Sequence, residues 1–432
     1  MTPLRPPGVR AAGLLAVLVV LLCAAPAAAK PAAPPAPPNL DARAWILIDA
    51  RTGDVLDAHA PARELPIAST TKLMTAHLAL EQLRLSKRVV MAPYSAIPGE
   101  SLLGIQAGTR ISVHDLLYSL ILESANDSAY TLSRAIAHSE PRFVGEMNRA
   151  AAALGLADTH YENPIGLDAA GNYSSARDLA TLSRDLLHNR VFARIADTTK
   201  TVLHSLHPPP TIYTRNTLLL REPWVTGVKT GHTLGAGYVL VGSARKAGTD
   251  LISVVLGADS ETERDLDSLR LLDYGFAQYR PHRAIRPREQ LAQPSIRYSG
   301  GMLPLVASRP VVLGTRRGQQ VLVSVQAPGE VTGPLPRGRR LGRATVTVDG
   351  RQAAVVPLLT SRSIPAASTF DKLRSNAILV AALLVALLFV ILLVTVLLRR
   401  RRSGDRRSEE ETRAIRDRRQ RMRDGQNQGG TG

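Results

Sequence analysis

The chain has 432 residues, 45% of them apolar and only 4% aromatic, and a formal charge of +18. That length leaves room for two domains with linkers, and the apolar content suffices for a core built mainly from Ala, Val, Leu and Ile. Much of the basic excess is arginine in the C-terminal tail, and no nucleic-acid motif accompanies it, so the charge gives no ground for a nucleic-acid partner.

Arg5 and Arg10 precede an apolar run from Ala11 to Ala25 and the small-residue site Ala27-Ala28-Ala29. Residues 1–29 therefore read as a secretory signal. Cys23, the single cysteine, lies inside it behind bulky Leu22, which disfavours a lipoprotein site. Removal of the signal leaves an exported part without thiols, excluding a cysteine nucleophile, disulfides and thiolate metal sites. Residues 30–40 form a stiff Pro/Ala spacer.

Structure is expected from Ala44 to Ile48 as a strand, a turn at Arg51-Thr52-Gly53-Asp54, and a second strand from Val55 to Ala58. Leu73, Ala76, Leu80 and Leu83 carry helical spacing through residues 68–83. Helical patterns recur over 113–137 and 146–154. Strands are expected over 224–244 and 251–258, and a helix over 261–279. The mixture predicts an α/β or α+β domain over 41–280 with an antiparallel sheet, since a hairpin opens it and no βαβ repeat appears.

An Arg/Pro-rich linker is expected over 281–296. A small all-β domain follows over 297–365, with short runs at 303–306, 311–313, 321–325, 344–348 and 353–358. Asp349-Gly350 marks a hairpin turn between the last two. From Ala377 to Leu398 nearly every residue is Ala, Leu, Val or Ile, the composition of a transmembrane helix. Arg399 to Arg402 follow directly, and the positive-inside rule places residues 399–432 in the cytoplasm and the domains outside.

Three short motifs carry chemistry. Ser69-Thr70-Thr71-Lys72 opens the first helix, where residues three apart share a face and the amine is able to take the hydroxyl proton. Ser124-Ala125-Asn126 lies between two helical stretches. Lys229-Thr230-Gly231, followed by His232, lies in a β run, where glycine lets a substrate backbone approach. Each is weak alone. Ser243-Ala244-Arg245-Lys246 repeats the first pattern at a strand end with nothing behind it.

In this order the motifs resemble the signature of the penicillin-recognising serine enzymes. Within that group the chain is similar to the low-molecular-weight D-alanyl-D-alanine carboxypeptidases of the penicillin-binding protein 5 type. Gly166 to Gly171, Ser174 to Ala180, Val225 to Thr233 with Ala236-Gly237, and Gly257 to Ser260 extend the likeness, as does the β-rich segment Pro334 to Leu359. The resemblance implies the transpeptidase fold shared by penicillin-binding proteins and β-lactamases, and action on peptidoglycan stem peptides, with β-lactam antibiotics as competing acylators. It requires no cofactor. Those enzymes end in an amphipathic surface helix, whereas here a spanning segment takes its place.

The resemblance makes Ser69 the nucleophile and Lys72 the proton acceptor. A neutral Lys72 needs its pKa brought down by about 3, on the order of 4 kcal/mol, through burial and the cation of Lys229. Ser124 is expected to relay the proton and Asn126 to hold the substrate amide. Lys229 and Thr230 take the terminal carboxylate beside Gly231, and the backbone amides of Ser69 and His232 form the oxyanion hole. His77 is expected to pack within its helix, and Glu162 to be a solvated loop charge. A D,D-endopeptidase, a β-lactamase and a catalytically inactive scaffold remain alternatives on the same fold.

Overall fold

The computed structural model describes residues 36–426. The expected signal, 1–29, and the start of the spacer lie outside them. Two strands, β1 (Ala44–Asp49) and β2 (Val55–His59), open the catalytic unit as the expected hairpin. After a helical stretch, β3 (Val225–Thr233), β4 (Gly237–Lys246) and β5 (Thr249–Ala258) complete one sheet. Its order is β2-β1-β5-β4-β3, and every neighbouring pair is antiparallel.

The sheet is buried on both faces, and the two-residue period of a strand sorts its side chains. Ala44, Ile46, Ile48, Ile252, Val254 and Leu256 face the helical layer. Trp45, Leu47, Leu251 and Val255 face the opposite core, under the helix Glu261–Ala277. Ser260 starts that helix, its side chain accepting from Glu263 N–H.

The helical layer contains α1 (Lys72–Gln82), α2 (Val113–Leu122), α3 (Asn126–Ala137), α4 (Glu140–Ala153), α5 (Ala176–His188) and α6 (Arg190–Ala196). The helical stretch expected over 113–137 is two helices, divided at the second motif as the sequence placed it, and Ser124 there has a φ of +61° that no α-helix accommodates. Helices α5 and α6 were not anticipated. Ser175 caps the first by accepting from Asp178 N–H, and Asn189 caps the second by accepting from Val191 and Phe192.

The stretch 281–296, expected as a linker, is instead woven into sheets. Arg280–Ile285 pairs antiparallel with Val311–Thr315, and Gln290–Ala292 is an edge strand of the second sheet. Proline is tolerated in such edge ribbons because alternate N–H groups need no partner, so Pro281 did not exclude a strand. The second sheet continues through Leu305–Ala307, Arg351–Thr360, Arg340–Val348 and Val321–Gln326. Asp349 and Gly350 both take positive φ, as a two-residue hairpin turn demands. The helix Ala377–Gln426 runs on through the arginines, and its segment Leu379–Arg400 has mean hydropathy 3.3 and none of it buried. At ~1.5 Å per residue those 22 residues are long enough to cross a bilayer.

Candidate active site

Ser69 does not lie in the α-helix proper. Ala68–Thr71 is a 3-10 turn, and the α-helix begins at Lys72. Residues three apart eclipse in a 3-10 turn, which stacks Lys72 over Ser69. Lys72 Nζ stands 3.0 Å from Ser69 Oγ and donates to the Ile165 carbonyl at 2.6 Å. Ser69 is partly exposed while Lys72 is fully buried, so the hydroxyl is accessible and the amine beside it is not. Burial brings the Lys72 amine down from an ordinary 10.5 to about 7, against the opposing charges of Glu100 and Asp127. The sequence-based expectation counted on burial and on the Lys229 cation; here burial produces the fall, and the Lys229 amine is itself pushed down.

The Ile165 carbonyl is held by its own loop. Asn163 Oδ1 accepts from the N–H groups of Ile165, Gly166 and Leu167, and Thr75 Oγ1 donates to Pro164 O at 2.7 Å. Gly166 has φ +90°, and a Cβ there would lie 1.9 Å from the Ala68 carbonyl oxygen. The loop thus rests directly on the turn that carries Ser69. Asp168 ties its far end to the end of β3, accepting from Thr233 Oγ1 at 2.6 Å and Gly235 N–H at 2.9 Å.

The third motif closes on the same turn, and Asp127, next to the second motif, acts on Lys72. Ser124 and Asn126 are both buried where α2 gives way to α3. Lys229 and Thr230 are buried on β3. Lys229 Nζ donates to the Thr230 carbonyl at 2.8 Å. Burial pushes the Lys229 amine well below its ordinary range, with Lys72, Arg215 and Arg264 adding repulsion. A Cβ on Gly231 would come 2.9 Å from the Ser69 backbone nitrogen, so only glycine lets the strand lie this close. The His232 side chain points outward and stacks on Tyr238 at 4.1 Å between centroids.

Other expectations fall where the sequence placed them. His77 is buried between Glu81 and Asp185, 3.4 Å from each. The half-exposed Glu162 carboxylate contacts His160 Nδ1 at 3.6 Å. Ser243 of the repeated pattern shares a hydrogen bond with Thr226, and Lys246 lies over the Trp224 ring. Sequence reasoning missed Glu100, Tyr94, Asp127 and Asn163. Asp127 adjoins a motif and Asn163 precedes a proline, weak signals of a turn, whereas Glu100 sits in an aperiodic loop that offers none.

An accessible serine beside a buried lysine, at the junction of a helical layer and an antiparallel sheet, is the arrangement of a penicillin-recognising serine peptidase. A profile described as D-alanyl-D-alanine carboxypeptidase, peptidase S11, matches residues 30–260. The chain belongs to that family and is a serine-type D-alanyl-D-alanine carboxypeptidase similar to penicillin-binding protein 5. It is 30% identical over 328 residues to the D-alanyl-D-alanine carboxypeptidase DacF of Bacillus subtilis, spanning 74% of this chain and 84% of the relative. DacC of Escherichia coli is 31% identical over 78% of this chain and 87% of its own length. Penicillin binding protein 5 from Haemophilus influenzae superposes with a TM-score of 0.54 at 28% identity, covering 76% of this chain and 99% of that structure.

Proposed function

We propose that the enzyme removes the terminal D-Ala from peptidoglycan stem pentapeptides through an acyl-enzyme on Ser69. The observation that carries this reading is the 3.0 Å approach of Lys72 Nζ to Ser69 Oγ, with the lysine wholly buried and its amine near neutrality. Lys72 takes the hydroxyl proton as Ser69 attacks the penultimate D-Ala carbonyl. Ser124 passes a proton to the departing D-Ala nitrogen, and water then hydrolyses the ester. Asn126 holds the substrate amide. Lys229 and Thr230 clamp the terminal carboxylate, a charge favoured by the surrounding Arg215 and Arg264. The amides of Ser69 and His232 receive the oxyanion, each worth ~100- to 1,000-fold in rate.

The same reading divides the chain into a catalytic domain over 41–280, a β domain over 297–365 with strands reaching back to 280, a membrane span near 377–400 and a basic tail. Basic residues after the span support a single-pass protein with its catalytic domain outside the membrane and its tail in the cytoplasm. An N-terminal signal would supply the export.

Labelling with fluorescent penicillin tests the nucleophile. The native chain is expected to form a covalent adduct and Ser69→Ala to form none, while Ser243→Ala labels normally. A diacyl-Lys-D-Ala-D-Ala peptide is expected to release free D-Ala while the penicillin adduct persists. Glu162 is a half-exposed loop carboxylate in a stretch that resembles the carboxypeptidases, so the adduct is expected to last. Rapid penicillin hydrolysis that Glu162→Ala abolishes would reverse this assignment in favour of a β-lactamase.

A further inference from the structure

Glu100 lies in the loop between the paired strands Arg88–Val90 and Arg110–Ser112. Its carboxylate accepts three hydrogen bonds. Oε2 receives the Asn126 side-chain nitrogen at 2.6 Å and the Tyr94 hydroxyl, and Oε1 receives the Ile97 N–H at 2.9 Å. The loop is tied to the second motif at further points. Asn126 N–H donates to Ser101 O at 2.8 Å, and Asp127 accepts from Leu103 and Gly104 N–H, both at 2.9 Å.

An ionised carboxylate only accepts, so the side of the Asn126 amide that faces Glu100 is its NH2. The carbonyl oxygen is thereby turned away from Glu100. We propose that Glu100 is a positioning residue for this reaction, fixing the orientation of the Asn126 amide so that its oxygen is presented to the N–H of the substrate. This rests on the reading of Asn126 as the residue that holds the substrate amide.

A neutral amide does not replace the carboxylate. With a glutamine oxygen facing Asn126 and Tyr94, the glutamine NH2 opposes the Ile97 N–H. Flipped, it opposes the Asn126 NH2 instead. In either arrangement two donors confront each other, and Asn126 turns or the loop loosens.

The charge of Glu100 has a second effect. Lys72 is faced by Glu100 from the loop, by Asp127 from α3 and by the Lys229 amine from β3, which burial pushes well below its ordinary range. Glu100 in turn faces Tyr94 and Asn126, with Glu140 beyond Tyr94. Both carboxylates favour the protonated lysine. Neutralising Glu100 therefore lets Lys72 give up its proton at lower pH.

The test measures kcat/KM for a diacyl-Lys-D-Ala-D-Ala peptide across pH, together with penicillin labelling, on the full chain in detergent. Glu100→Gln is expected to lower kcat/KM roughly 10- to 100-fold, the worth of one charge-assisted hydrogen bond. Its acid limb should move to lower pH while Ser69 is still labelled, slowly. Glu100→Asp keeps charge and acceptors, so it should recover part of the rate and leave the limb in place. A wild-type rate and limb in Glu100→Gln would overturn the proposal. So would a rate loss with the limb unmoved and no recovery in Glu100→Asp, the behaviour of a mere loop scaffold. Failure of Ser69 in the unaltered chain to label at all would instead defeat the underlying reading of the site.

Discussion

Replacing Lys72 by methionine should stabilise the fold at neutral pH, by an amount that shrinks as the pH rises. Burial holds the Lys72 amine at about 7 against an ordinary 10.5, so between those values the unfolded chain binds more protons than the folded one. Stability therefore increases with pH through that window, and the full cost of the buried lysine applies below it. At 1.36 kcal/mol per pH unit, the cost is about 4 kcal/mol at pH 7 and about 1.5 kcal/mol near pH 9.5. Methionine fills a similar volume but forfeits the bonds to Ser69 Oγ and the Ile165 carbonyl, about 1 kcal/mol each. The variant should be more stable than the parent by about 2 kcal/mol at pH 7, and no more stable than it near pH 9.5. Both tryptophans, Trp45 and Trp224, belong to the catalytic unit, so their fluorescence during denaturant unfolding reads that unit within the full chain. A stability difference that does not change with pH would refute the premise that the folded lysine has surrendered its proton.

Three further outcomes follow from the geometry. The acylation rate of the native enzyme should climb with pH through about 7, as Lys72 becomes neutral, and a flat profile in stopped-flow labelling would contradict this base. Lys72→Ala should cut acylation by ~100- to 10,000-fold, whereas Lys229→Ala should chiefly weaken binding of the acyl-D-Ala-D-Ala carboxylate and still permit slow acylation. Equal defects with unchanged affinity would end that division of labour. Gly166→Ala drives a Cβ onto the Ala68 carbonyl and should cost ~2 kcal/mol or more along with slower penicillin labelling. Gly104→Ala, with positive φ and open space around it, should cost only about 1 kcal/mol in the same unfolding assay.

What the sequence disclosed was local. The β1–β2 hairpin followed from alternation around a turn, and the three motifs from residue types at short spacing. What it concealed was made by contacts between distant segments. The carbonyl that holds Lys72 belongs to Ile165, 93 residues away, and nothing in the spacing links the two. Glu100 reaches Asn126 from a loop without periodicity. Residues 281–296 were misread because arginine and proline suit both linkers and edge strands, and pairing with Val311–Thr315 decides between them. Helices α5 and α6 were passed over although Ser175 and Asn189 are caps that a start-signal search would flag.

The site is assembled from features that each oppose folding. Ala68, next to Ser69, and Ser124 of the second motif, neither a glycine, take φ of +47° and +61°, at a cost of about 1–2 kcal/mol apiece. Lys72 and Lys229 are buried amines that burial pushes below their ordinary range, and the charge of Lys72 adds repulsion at Lys229. Such a cluster persists only where its surroundings leave no cheaper arrangement. Here the surroundings are a sheet buried on both faces, a loop nested on Asn163, and a strand that glycine allows to touch the serine turn. The stabilising work is thus done by the frame around the site, and the residues that oppose folding are those proposed to carry the chemistry. This explains why the motifs are short: a handful of side chains needs specifying, while the rigid frame that strains them is met by many apolar sequences. It also explains how relatives only about 30% identical keep the same fold.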